Sequence, residues 1–169
     1  IVEGYSFLKE NKQVLAPFIL LGGMWVALAI VTVNFPIIAR DIIKIDVNTG
    51  GILVVVPAGI GTAIGALAVS KLLKLGWRKM KVINAFLLII SFALLLMIAV
   101  VPYLSGIYRV LFSTLITGVI GASFVGIIIP AQTFHQEATP GGLRGRVFGN
   151  FWILVTIATL PPVIFSATI

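Results

Sequence analysis

Five long apolar stretches, free of charge from end to end, constrain this chain more than any other feature. They run over about 14–39, 51–70, 82–101, 110–131 and 148–169. A bilayer core about 30 Å thick takes roughly 20 mostly apolar residues per helix, and each stretch supplies that length. No Lys, Arg, Asp or Glu interrupts them, as expected when one such charge at mid-membrane costs about 2.5–3.5 kcal/mol or more. The runs are continuous and too long for barrel strands of about 10 residues with alternating polarity. The expected fold is therefore all-α: a polytopic transmembrane bundle of five spans over 14–169, preceded by an interfacial segment over 1–13.

Composition agrees and removes several function classes. Only 10% of the residues are charged and 60% are hydrophobic, whereas a soluble domain needs roughly 25% charged to cover its surface. The net charge is +7, but the 12 basic residues are too few and too clustered for a nucleic-acid binder. The chain has no Cys, which excludes disulfide scaffolds, thiolate metal sites and cysteine nucleophiles. One His beside one carboxylate is too small a set for a zinc site, and no nucleophile–base pair supports an enzyme. No metal or cofactor is expected. The chain opens at Ile1 and stops inside its last apolar run, so this reading expects a piece of a longer polypeptide.

Flanking charge sets the orientation. Nine basic residues lie in alternate connections: Lys9, Lys12, Lys71, Lys74, Arg78, Lys79, Lys81, Arg144 and Arg146. The other three, Arg40, Lys44 and Arg109, lie in the opposite set. The positive-inside bias then places the N-terminus, the 71–81 loop and the 132–147 loop in the cytoplasm of a cell membrane.

The spans differ in character. The third is apolar on every side except Asn84 and Ser91, which suits a helix facing lipid. The second carries Gly59, Gly61 and Gly65 among Ala58, Thr62, Ala63 and Ala66; Gly61 and Gly65 form a GxxxG pair that admits another backbone. The fourth repeats the theme with Gly118, Ala122 and Gly126, and adds Ser113, Thr114, Thr117 and Ser123. Both read as packing helices. The first span carries Thr32, Asn34 and Pro36 in its outer half. Pro36 cannot bond back to Thr32 and permits a bend, and Asn34 either lines a wet cavity or bonds to a neighbouring helix.

Two loops hold most of the remaining chemistry. Lys71, Lys74, Arg78, Lys79 and Lys81 surround Gly76 and Trp77. Composition favours a topological role, with the cations against anionic headgroups and Trp77 as an interfacial anchor, over a conformational latch. In the 132–147 loop, Thr139 before Pro140 suits the start of a short helical turn. Glu137, the only acid in either internal loop, is placed to pair with Arg144, Arg146 or the basic loop. His135 reads as a satisfied interfacial side chain, with proton relay as the minor alternative.

Three motifs resemble the second half of a major facilitator superfamily transporter, in particular the macrolide-efflux-like exporters. Glu3-Gly4-Tyr5-Ser6-Phe7-Leu8 with Asn11 resembles the entry to the seventh helix. Gly65-Ala66-Leu67 followed by Gly76-Trp77-Arg78-Lys79 resembles the Gly-rich basic motif between helices eight and nine. Gln132-Thr133, Gln136, Thr139-Pro140 and Leu143-Arg144-Gly145-Arg146-Val147 resemble the loop between helices ten and eleven. The second motif departs from the family pattern, since no Asp or Glu occurs between Asp46 and Glu137.

The resemblance implies that the five spans are helices seven to eleven of a 12-helix transporter. It implies that the first and fourth spans line the cavity, which would make Asn34, Thr32, Ser113, Thr114 and Thr117 the cavity's polar residues. The second and fifth would meet the other half of the polypeptide. The expected function is secondary active transport of a small, amphipathic solute by alternating access, in the direction of efflux. The alternative is a non-transporting membrane scaffold or assembly subunit, for which packing helices suffice.

Overall fold

Regular structure is helical throughout the described residues of the computed structural model. These are residues 12–167, less the side chains of Lys12, Gln13, Val14, Ala16, Val47, Leu143, Ser166 and Ala167. The helices are α1 Lys12–Val33, α2 Val56–Lys74, α3 Lys79–Ala99, α4 Gly106–Ala138 and α5 Arg144–Ala167. Four segments are long and apolar enough to cross a membrane: Asn48–Lys74, Lys79–Tyr103, Gly106–Ala138 and Arg144–Phe165. A fifth is added if Pro17–Val33 and Phe35–Ile43 count as one broken span. The proposed entry motif over Glu3–Asn11 lies outside the described residues, as does most of the 1–13 segment; Lys12 and Gln13 already belong to α1.

The first span breaks where Pro36 predicts a bend. After Val33 the chain turns at Asn34 and resumes as Phe35–Ile37, then widens into a π-helical stretch over Ile38–Ile43 that ends at left-handed Lys44, φ 59°. The Ile30 carbonyl accepts both the Asn34 backbone N–H at 3.0 Å and the Asn34 side-chain amide at 2.8 Å. Asn34 thus ties off its own helix, which is how an amide in an apolar segment satisfies its donor without a second helix.

Contacts divide the chain into two compact units. One holds the described residues up to Asn34 and those from Ala131 onward; the other is Phe35–Pro130. In the first unit, Phe18, Leu21 and Met24 form the buried face of α1, and Val147, Phe151 and Val155 that of α5. The i, i+3 and i, i+4 spacings put each set on one helical stripe. In the second unit, Ile43, Ala93, Met97, Val101 and Ile116 build a hydrophobic cluster, while Leu88, Phe92, Leu95 and Ile98 of α3 are exposed. That outward apolar face suits contact with acyl chains rather than water.

The loop expected over 132–147 is much shorter than its polarity suggests. α4 continues to Ala138, and only Thr139 and Pro140 precede a 3-10 turn over Gly141–Leu143. Gln132 to Glu137 contain no helix breaker, and the helix stops where the residue before Pro140 is pushed out of the α region. With 33 residues, α4 reaches about 50 Å, well beyond a bilayer core. The polar residues after Ala131 thus continue the helix rather than end it.

Candidate functional site

The small-residue helices meet as a tight seam in the second unit. A Cβ added to Gly61 would strike the Gly118 carbonyl group, with its carbon only 2.8 Å away. One added to Gly65 would strike Ala122, with its Cα also at 2.8 Å, and one on Gly121 would meet the Ala58 backbone. Backbones this close are accessible only to residues without a side chain. Gly126 faces another helix: its Cβ would fall 2.5 Å from Phe86 Cδ1 in α3. Residues four apart drift by about 40° on a 3.6-residue helix, so the Gly118–Ala122–Gly126 row turns from α2 towards α3. Gly121, three residues after Gly118, belongs to the seam although the four-residue spacing did not single it out.

The polar residues expected in a cavity make local bonds. Thr32 Oγ1 donates to the Leu28 carbonyl at 2.8 Å, Ser113 Oγ to Arg109 at 2.7 Å, and Thr117 Oγ1 to Ser113 at 2.7 Å. Thr114 reaches further, donating to the Leu53 carbonyl at 3.2 Å. Leu53 sits in a second π-helical stretch, Gly51–Val55, whose i→i+5 pattern alters the carbonyl ladder. Thr114 therefore fastens α4 to the irregular start of the second span. Asn34 and Thr32 fall in the first unit and the Ser113, Thr114 and Thr117 group in the second.

A groove of about 440 Å³ runs between α1 and α5 in the first unit. Gly22, Gly23 and Ala27 open one wall, Phe151, Val155 and Ala158 form the other, and every lining side chain is apolar. A Cβ on Gly22 would rest at 3.7 Å from Val155, in ordinary contact, and one on Gly23 would meet nothing within 4 Å. Gly22 and Gly23 are the central pair of α1, and Val155 lies at the middle of α5. The groove therefore sits halfway along both helices. Asn34 and Thr32 do not line it. The signal for it in the sequence was Gly22-Gly23 with Ala27 one turn on.

The groove abuts a set of aromatic rings, of which Phe18, His135 and Phe151 are buried. Phe18 packs edge-on against Phe151 at 5.2 Å between ring centres and lies 5.4 Å from the His135 ring. His135 also lies 5.0 Å from Phe148, and Trp25 lies 5.4 Å from Trp152. The Thr139 hydroxyl donates to the His135 carbonyl at 2.8 Å and sits 3.2 Å from His135 Nδ1. That contact pairs Nδ1 with the Thr139 hydroxyl in either tautomer. Nε2 is buried without a hydrogen-bond partner among the described residues. Both residues are 1% exposed.

The loop residues take positions at helix ends. Gly76 occupies the left-handed region at φ 81°, Arg78 is the extended residue before α3, and Lys79 is its first residue. Glu137 is exposed in the last turn of α4, and Arg144 and Arg146 are exposed in the first turn of α5. Arg144 Nε donates to the Thr139 carbonyl at 3.1 Å, closing the turn after α4. No family model, curated protein or solved structure matches this chain.

Proposed function

We propose that this chain forms five membrane spans of a secondary transporter, the second half, less its last helix, of a 12-helix protein of the major facilitator type. In this reading it exports a small amphipathic solute from the cell by alternating access. The observation that carries the reading is the apolar groove at the midpoint of α1 and α5. Transporter sites lie near the bilayer midplane between helices that rock against one another, and about 440 Å³ is the size of a small-molecule site. The broken first span, with its turn at Asn34 and π-helical stretch, supports it, because interrupted spans recur in such proteins. So does the resemblance of the 65–79 and 132–147 segments to the family's loops. A solute enclosed by these walls is held by shape and apolar contact, with its polar part outside the groove.

Vesicles reconstituted with the full-length protein and loaded with a lipophilic fluorescent dye test the reading. Gradient-driven, saturable dye efflux above that of protein-free vesicles is expected. A scaffold or assembly subunit would give efflux no faster than the lipid alone.

A further inference from the structure

The turn between α2 and α3 concentrates charge on a rigid frame. Trp77 N–H donates to the Leu72 carbonyl at 3.1 Å and Gly76 N–H to Leu73 at 3.0 Å, with Gly76 left-handed at φ 81°. This double bond pattern closes the end of α2 within its own backbone. The Leu72 and Leu73 carbonyls thus need no lysine to cap them. Lys71, Lys74, Arg78 and Lys81 are all exposed, and none forms an ion pair with a carboxylate among the described residues. The acids of this unit, Asp41 and Asp46, precede α2, whose 19 residues alone extend about 28 Å. Between the cations, the same turn exposes Leu75 at 66% and Trp77 at 48%.

Fixed cations alternating with apolar side chains at the end of two membrane-length helices match one environment: the headgroup layer of an anionic leaflet. Phosphates meet the cations there, while indole and leucine enter the acyl boundary. We infer that this turn is a binding surface for anionic phospholipid, with Lys71, Lys74, Arg78 and Lys81 as its headgroup ligands. The inference needs α2 and α3 to span the membrane but does not depend on the transport reading.

The test is lipid retention by the purified full-length protein in detergent, measured by native mass spectrometry after titration with phosphatidylglycerol or phosphatidylcholine. Phosphatidylglycerol should be retained at least about tenfold more tightly, and K71Q/K74Q/R78Q/K81Q should abolish that preference. If the fourfold variant does not fold, K71Q/K74Q and R78Q/K81Q should each weaken retention. Equal retention of the two lipids, or a preference that survives these substitutions, overturns the proposal. Displacement of phosphatidylglycerol by an equal concentration of inorganic phosphate overturns the lipid assignment as well, since the turn would then be a free-anion site.

Discussion

Gly61 and Gly118 pack backbone to backbone: the carbonyl carbon of Gly118 lies 2.8 Å from where a Cβ on Gly61 would stand. The contact is not symmetric. A Cβ on Gly118 points elsewhere, to 3.5 Å from the Pro57 carbonyl oxygen, an ordinary van der Waals distance. Gly61→Ala and Gly65→Ala are therefore expected to lower stability by about 1–3 kcal/mol, as overpacking does in a tight core. Gly118→Ala should be nearly silent, and Gly59→Ala, with nothing within 4 Å, should be neutral or mildly stabilising. Thermal unfolding of the four variants in one detergent checks the order.

Thr114 supplies the second prediction. Its hydroxyl is bonded to the Leu53 carbonyl across 61 positions of sequence, whereas Thr117 bonds within its own helix to Ser113. Thr114→Val should cost about 0.6–2 kcal/mol, the range for interhelical bonds in membranes. Thr117→Val should cost less, because Thr117 joins no other helix by that bond. Chemical unfolding of both variants gives the comparison directly.

His135 gives a test in which removing a polar group does no harm. Its Nε2 is buried without a hydrogen bond among the described residues, between Phe18 and Phe148. His135→Phe keeps an aromatic ring there and removes the buried nitrogen, whose desolvation is worth about 1–3 kcal/mol, against about 0.5–1.5 kcal/mol for the lost Nδ1–Thr139 contact. Its unfolding midpoint should equal or exceed that of the parent. His135→Ala leaves a hole and should lose about 2–5 kcal/mol.

Orientation rests on the distribution of basic residues and is open to labelling. With Leu75→Cys in the basic turn and Asn48→Cys before α2, both at exposed positions, a membrane-impermeant maleimide on intact cells should label only the second. Labelling of Leu75→Cys alone would reverse the assignment.

The sequence made the membrane-length helices legible because apolar length is a one-dimensional quantity, and it exposed Gly61 and Gly65 because their spacing lies within one helix. Other features depend on pairings that no local pattern encodes. Gly121 joins the seam only through its place opposite Ala58. The continuation of α4 to Ala138 was hidden because polarity reports the surroundings of a helix rather than its backbone. The π-helical stretches over Ile38–Ile43 and Gly51–Val55 have no compositional mark. The groove needs Gly23 of α1 and Ala158 of α5 on facing helices, far apart in the chain, while Asn34, the most conspicuous polar residue of the first span, turned out to bond Ile30.

The central claim, that a solute occupies the groove during transport, is tested most directly at Gly23. Gly23 lines the groove and a Cβ there meets nothing within 4 Å, so Gly23→Leu should narrow the groove while its first side-chain carbon leaves the contacts of α1 with α5 in place. Dye efflux per folded molecule should be measured for the full-length parent and for Gly23→Leu in reconstituted vesicles, beside their unfolding midpoints. The account predicts matching midpoints and a loss of efflux of tenfold or more, on the order of what excluding a ligand from its pocket costs. Unchanged efflux per folded molecule at an unchanged midpoint would contradict it.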